Sequence, residues 1–278
     1  MDTPDKTNQP DQQNRPDQQN RPEKADGADK GLKVVKVDRE NHDTTSIYFT
    51  GPDMERFKKR EPGQFGAIRV MRGGKWTEPH PFTISGAPEE DALRMTIKSS
   101  GEFTRSIPEI EPGTPIECAG PFGQFCHGIE SQPEIAMIAG GVGITPFLSV
   151  LRHFKSTGAD NSIVLVWANK TFADAFAERE LEDYTRIMRL RVVHVFSRVE
   201  PLEQRPAPAF DDGRPGEVRY EYGRVNEDLL RRNLRTTNAT FYLCGPPPMQ
   251  RTVLEELAKC GVPPESVRKE AFVFTPAK

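Results

Sequence analysis

The sequence predicts two structural halves behind an unstructured tail: an antiparallel six-stranded β-barrel, then an α/β domain built on a parallel sheet. Three observations predict this. Between Leu32 and Ala119, six short β-type runs follow one another with Gly and Pro between them, the pattern of an antiparallel barrel. After Pro133 the rhythm changes to strand, loop, helix, and apolar strands alternating with amphipathic helices require a parallel sheet covered on both faces. Residues 1–30 hold almost no apolar side chain and repeat DQQNRP in tandem, so burial cannot offset the entropy of ordering them.

The barrel runs are LKVVKV from Leu32, TSIYF from Thr45, GQFGAIRV from Gly63, HPFTI from His80, LRMTIK from Leu93 and TPIECA from Thr114. One helix is expected among them, over Thr104 to Ile110, with Thr104 as its cap. The second half pairs EIAMIA with PFLSVLRHF, SIVLVWA with the segment Phe172 to Met188, LRVVHVF with NEDLLRRNL, and TFYLC with PPMQRTVLEELAKC. These patterns divide the chain into a tail (1–30), a barrel (31–128) and an α/β domain (129–278).

Composition narrows the function classes. The chain has 278 residues, with 38 Lys and Arg against 41 Asp and Glu, a balance that gives no footprint for nucleic acid. The apolar run Ile135 to Leu151 approaches the length of a membrane span, but Gly-Gly-Val-Gly and Thr-Pro in its middle make it a buried strand, a tight loop and a helix start. No secretory leader is recognisable at the N-terminus. The four cysteines, Cys118, Cys126, Cys244 and Cys260, have neither zinc nor iron-sulfur spacing. Reduced thiols in the cytoplasm are therefore expected.

Several motifs fall where chemistry is expected. Gly140-Gly141-Val142-Gly143-Ile144-Thr145-Pro146 joins the first strand of the α/β domain to its first helix. Glycines there let backbone approach a pyrophosphate, the helix start supplies N–H groups, and Pro146 suits a first helical turn. The same glycines also suit a purely structural turn. Cys244-Gly245-Pro246-Pro247-Pro248-Met249 ends a later strand at the same sheet edge, where Cys244 suits either packing or chemistry. Ser197-Arg198 closes a third strand and reads as a clamp for a ribose 2′-phosphate or as a solvated strand end. Tyr222-Gly223-Arg224 adds an aromatic face and a cation. Phosphate-loop, zinc-protease and serine-hydrolase signatures are absent from the sequence.

Taken in order, HPFTIS (His80–Ser85), IKSSGEFT (Ile97–Thr104), GGVGITP (Gly140–Pro146), CGPPPM (Cys244–Met249) and the terminal EAFVF (Glu270–Phe274) resemble the ferredoxin-NADP reductase superfamily. Within it, the dehydrogenase domains of ferric reductases and NADPH oxidases look most similar. The resemblance covers Leu32 to Phe274. It implies an FAD-binding barrel followed by a Rossmann-like NAD(P)-binding domain.

The resemblance also implies the site. Phe82 packs on the flavin ring and Thr83 bonds near its N5, while His80 and Pro81 stand where an arginine usually meets the pyrophosphate. Ile97, Lys98, Gly101, Phe103 and Thr104 form the second flavin motif. Gly141, Gly143, Thr145 and Pro146 hold the nucleotide's nicotinamide and pyrophosphate portion. Apart from the resemblance, the residue types of Ser197, Arg198 and Arg224 suit its 2′-phosphate end, and Ser197-Arg198 favours NADPH over NADH. Cys244, Gly245, Pro246 and Met249 flank the nicotinamide, and Phe272 matches the aromatic that covers the flavin face, although Phe274 or neither ring could take that place instead. Thr83, Cys244 and Glu270 are the catalytic candidates, in the sense of positioning and polarity around N5.

The implied activity is hydride transfer from NAD(P)H to FAD. Electrons then pass to a separate acceptor: a ferric chelate, a haem or iron-sulfur protein, a quinone or oxygen. A non-catalytic flavin- and nucleotide-binding subunit of a larger complex is the alternative.

Overall fold

The computed structural model describes residues 31–206 and 217–270. The expected tail and Phe272 lie outside the described residues. Strands β1 (Leu32–Arg39), β2 (Thr44–Thr50), β3 (Phe65–Arg72), β4 (Lys75–Trp76), β5 (His80–Thr83), β6 (Leu93–Lys98) and β7 (Pro115–Phe122) form one antiparallel sheet. Its order is β4-β3-β7-β1-β2-β6, with β5 also paired to β3. A bridge between Ile84 and Met95 brings the end of β5 to β6 and closes the barrel. Alternate residues point inward, as Gly66, Ile68 and Val70 do on β3, and fill a core with Ile47, Phe49, Leu93, Met95 and Ile116. All six expected runs form strands; the two-residue β4 is additional.

The expected helix over Thr104 to Ile110 begins earlier and breaks. Helix α1 spans Glu102–Arg105, and a separate single turn covers Ile107–Glu109. Thr104 is not the cap but the third helical residue: its Oγ1 accepts from the backbone N–H of Ser100 (2.7 Å) and Gly101 (2.8 Å). Pro108 has no N–H to continue the ladder, which accounts for the break.

The second domain is a parallel sheet of β8 (Glu134–Gly140), β9 (Ser162–Asn169), β10 (Leu190–Phe196), β11 (Val218–Tyr222), β12 (Thr240–Cys244) and β13 (Val267–Glu270), in the order β11-β10-β9-β8-β12-β13. Helices α2 (Thr145–Thr157) and α3 (Glu178–Ile187) bury Phe147, Leu151, Phe154 and Leu181 on one face of it. Helices α4 (Glu227–Asn233) and α5 (Pro247–Lys259) bury Leu229, Leu230, Val253 and Leu257 on the other. Two strands escape the sequence pattern, β11 (VRYEY) and β13 (VRKE). They are the sheet's two edges, and edge strands carry charges that blur the apolar signal.

The halves meet through α2. Arg152 on this helix forms a two-point pair with Glu180 of α3 (Nε and a terminal nitrogen, each 2.7 Å) and donates its other terminal nitrogen to the Ser85 carbonyl of the barrel at 2.6 Å. Burial pushes the Glu180 carboxyl up, but the hydrogen bonds and charge of Arg152 outweigh it and hold the pKa below the ordinary 4.5. A depressed carboxyl pKa contributes stability above the unfolded-state value, and that stability is lost as pH falls through the folded one. Urea unfolding at pH values stepped down from neutral should therefore show stability dropping below about pH 4.5, with a shallower drop in Glu180→Gln.

Candidate functional site

Strands β8 and β12 are neighbours, yet the chain leaves β8 for α2 on one face and leaves β12 for α5 on the other. Such a divergence opens a crevice at the carboxyl ends of the strands, the usual ligand site of open α/β sheets. Here the crevice measures about 520 Å³ and gathers Gly141, Gly143, Ser197, Arg224, Gly245, Pro246 and Met249, residues scattered over more than a hundred positions. Asn169 and Lys170, at the carboxyl end of β9, also line it. Sequence reasoning missed both, although their place at the end of SIVLVWA would have flagged them. Across the crevice stands Lys98 of the barrel, its ammonium 2.5 Å from Asp43.

The glycines divide the work. A Cβ on Gly143 would lie 2.5 Å from the Cys244 carbonyl oxygen and 2.9 Å from Gly245 Cα, so its missing side chain makes room for the neighbouring loop. Gly245 in turn sits against Gly140. Gly141 differs: its φ is +53°, nothing stands within 4 Å of where a Cβ would be, and it presents bare backbone to the crevice. The Trp167 indole N–H fixes this turn by donating to the Gly141 carbonyl at 2.9 Å. Thr145 and Pro146 are buried beneath the loop, where the Thr145 hydroxyl donates to the Val142 carbonyl.

Cys244 lies behind the crevice and is fully buried, with its thiol pKa pushed far up by burial. Its register partner on β13 is Glu270, whose carboxyl is also raised by burial. The buried Gln250 amide ties this corner, donating to the carbonyls of Gly245 (2.9 Å) and Glu270 (2.7 Å). Arg198 stands apart from the crevice lining; it is exposed, and its backbone N–H is held by the Lys170 carbonyl at 2.8 Å.

The barrel residues form a second cluster. His80 and Phe82 alternate onto one side of β5, and both rings stack with Phe103 of α1, at 4.0 and 6.1 Å between centroids. Burial lowers the His80 pKa from 6.5, so the imidazole is neutral at pH 7 and brings no charge to a phosphate. Pro81 is exposed, and Ile97 belongs to the barrel core. The N–H of Gly101 is engaged by Thr104, which keeps that donor within the chain. Thr83 is only 4% exposed, and its hydroxyl has no hydrogen-bond partner among the described residues. An unpaired buried hydroxyl costs about 1–3 kcal/mol, so a ligand that supplies the missing partner fits this position.

Comparison with known proteins gives each half of the chain a family match. Residues 30–111 match the FAD-binding domain family, and residues 137–255 match the Oxidoreductase NAD-binding domain family. The chain is 25% identical over 245 residues to a flavohemoprotein of Bacillus subtilis, covering 87% of this chain and 59% of that protein. It is 27% identical over 241 residues to NADH-cytochrome b5 reductase 2 of Botryotinia fuckeliana, covering 82% and 65%. It thus spans less than two thirds of the length of these relatives.

Among solved structures, the FAD/NAD-binding domain of nitric oxide dioxygenase from Vibrio cholerae superposes with a TM-score of 0.69 at 18% identity, covering 88% of this chain and 99% of that one. A ferredoxin NADP+ reductase from Neisseria gonorrhoeae superposes at 0.67 and 16%, covering 86% and 97%.

The fold and its paired sites define a flavin- and nicotinamide-nucleotide-binding protein of two domains. The chain carries an FAD-binding domain followed by an Oxidoreductase NAD-binding domain, in the fold shared with the ferredoxin NADP+ reductase above. The sequence relatives above are a flavohemoprotein and a cytochrome b5 reductase, and the expected likeness to ferric reductases is only a distant analogy.

The packing of the two loops yields a direct test. Gly143→Ala places a methyl against backbone that cannot turn aside, and overpacking of this kind costs about 1–3 kcal/mol. Urea denaturation should show that loss.

Proposed function

We propose that the protein is an FAD-dependent oxidoreductase that takes hydride from NAD(P)H and passes electrons to a separate one-electron acceptor. The observation that carries this reading is the juxtaposition of two sites across one helix. The crevice loop runs into the first residue of α2, and seven residues later the same helix touches the carbonyl of Ser85, just beyond the flavin strand. When bound, the flavin supplies a hydride acceptor at N5 and the capacity to release electrons singly.

This chain's residues do the placing. Gly141 offers backbone to the pyrophosphate at the helix start. Ser197, Arg224 and Lys170 line the crevice and would hold a 2′-phosphate, with exposed Arg198 joining them from outside the lining. Phe82 faces the flavin ring, and Thr83 gives its unpaired hydroxyl to the ring edge. Cys244 and Glu270, both shifted by burial toward their protonated forms, shape the nicotinamide pocket and exclude water. No side chain need act as acid or base, because the step requires only approach of the two rings to about 3–3.5 Å.

The names of the relatives, a flavohemoprotein and a cytochrome b5 reductase, favour a haem protein as acceptor. No helix among the described residues is long and apolar enough to cross a membrane. The four cysteines are free and buried, which suits the reducing cytoplasm.

Anaerobic addition of NADPH or NADH to the flavin-loaded protein should bleach the flavin band. Bound flavin that neither coenzyme reduces would instead favour the partner-dependent subunit. In the same assay, Arg198→Ala should raise KM for NADPH by at least about tenfold, the loss of one charge-assisted phosphate contact, and leave NADH nearly unaffected. Equal effects on both would remove Arg198 from the 2′-phosphate site. Thr83→Val should leave the flavin-free protein as stable as wild type or more so, and weaken flavin binding about tenfold by removing one hydrogen bond. Thermal melts and equilibrium dialysis of FAD read the two halves of that expectation.

A further inference from the structure

Helix α2 is shared by the flavin strand and the nucleotide crevice. From Thr145 through Arg152 every residue of it is buried, because the sheet covers one side and the barrel the other. A helix buried all round is normally apolar all round, yet Ser149 (1% exposed) and Arg152 (6% exposed) interrupt this one. Both reach the turn that follows β5. The Ser149 hydroxyl donates to the Gly86 carbonyl at 2.8 Å, and Arg152 donates to the Ser85 carbonyl at 2.6 Å.

The remaining Arg152 donors are fixed in the second domain by Glu180, whose carboxylate also accepts from the Tyr184 hydroxyl at 2.6 Å. The guanidinium therefore points two ways, a geometry that the single ammonium of lysine cannot reproduce. The turn is held from the barrel side as well, where buried Arg60 donates to the carbonyls of Phe57, Ala87 and Pro88. Beside Ser149 and Arg152, His153 contacts Glu89 at 2.8 Å and Glu130 at 3.1 Å.

We propose that Arg152 is a positioning residue for hydride transfer: by fixing the turn after Thr83 to the helix that starts at the nucleotide loop, it sets the spacing of the flavin and nicotinamide rings. This rests on the functional reading above and goes beyond it by naming what holds the two sites in register. Thr83 and Ser85 are two residues apart on one strand and its exit. A shift at the Ser85 carbonyl is therefore passed directly to the flavin motif. The nucleotide loop stays in place, because Trp167 and the Cys244-Gly245 backbone hold it independently.

The test uses two variants of the flavin-loaded protein. Arg152→Lys keeps a cation beside Glu180 and loses the fork. Arg152→Met combined with Glu180→Gln removes both charges, so no unpaired carboxylate is left buried. With saturating NADPH in anaerobic stopped flow, flavin bleaching should slow by about 10- to 100-fold, as a displacement on the order of 1 Å predicts.

The nicotinamide–flavin charge-transfer absorbance should weaken, while flavin content and the dissociation constant for ADP-ribose stay close to wild type. Hydrogen exchange should rise in residues 83–90 and stay unchanged in 140–146. The proposal is overturned if both variants bleach at the wild-type rate, or if the rate falls only in step with lost flavin and ADP-ribose affinity, which is the mark of general unfolding. Wild-type protein that no nicotinamide nucleotide reduces would overturn the functional reading, and the inference with it.

Discussion

The parting of the chain at the ends of β8 and β12 is the constraint on which the rest depends. Two adjacent parallel strands send their following helices to opposite faces of the sheet, and a cleft between them cannot be avoided. For that cleft to be narrow, the two loops must touch through backbone. Glycine therefore occupies position 143, where a Cβ would strike the facing backbone, position 140, where it would strike the Met249 sulfur, and position 245, where it would press on Gly140. Once they touch, Gly141 is the loop position left open, and the N-terminus of α2 is aimed beneath it. The crevice is a consequence of strand order, and its fine shape is a consequence of three missing side chains.

Buried polar groups meet contrasting fates at the domain junction and at the strand ends. Ser149, Arg152 and the terminal nitrogens of Arg60 are buried with named partners and hold the turn after β5 between the domains, although Arg60 Nε has none among the described residues. Thr83, at the end of β5, and Asn169, at the end of β9, are buried with side-chain atoms that have no partner among the described residues. The first kind gives an interface a single register, since a guanidinium misplaced by an ångström loses hydrogen bonds in a medium that does not replace them. The second kind is a cost the fold carries at strand ends that border the proposed sites. His80 shows a third outcome: its neighbours are aromatic, burial keeps it neutral, and stacking on Phe103 takes the place that charge would have held.

Much of the architecture was legible in the order of residues because it rests on short-range periodicity. All six barrel runs and the four principal parallel strands have an apolar repeat set by their own burial. Failures fell where local pattern and tertiary place disagree. Strands β11 and β13 read as polar because they are edges, and the helix near Thr104 was displaced because a hydroxyl three residues inside it bonds back to its start. The motifs that carry the crevice were visible as strings. Asn169 and Lys170 belong to no such string, and only their place at the carboxyl end of β9 marks them.

By itself, then, the sequence determined the two halves, their order, the strand ends where ligands belong and the residue types offered there, since each depends on composition and spacing within a few positions. Tertiary structure alone decided which glycine opens to the crevice and which faces the neighbouring loop, that Thr83 has no partner among the described residues while Thr145 is satisfied, and that Arg152 joins one domain to the other. Those outcomes depend on contacts between residues tens of positions apart, such as Arg152 with Ser85 and Gly143 with Cys244. No local pattern encodes them, because the same side chain is a cap, a clamp or an orphan according to what the fold brings within about 3 Å of it.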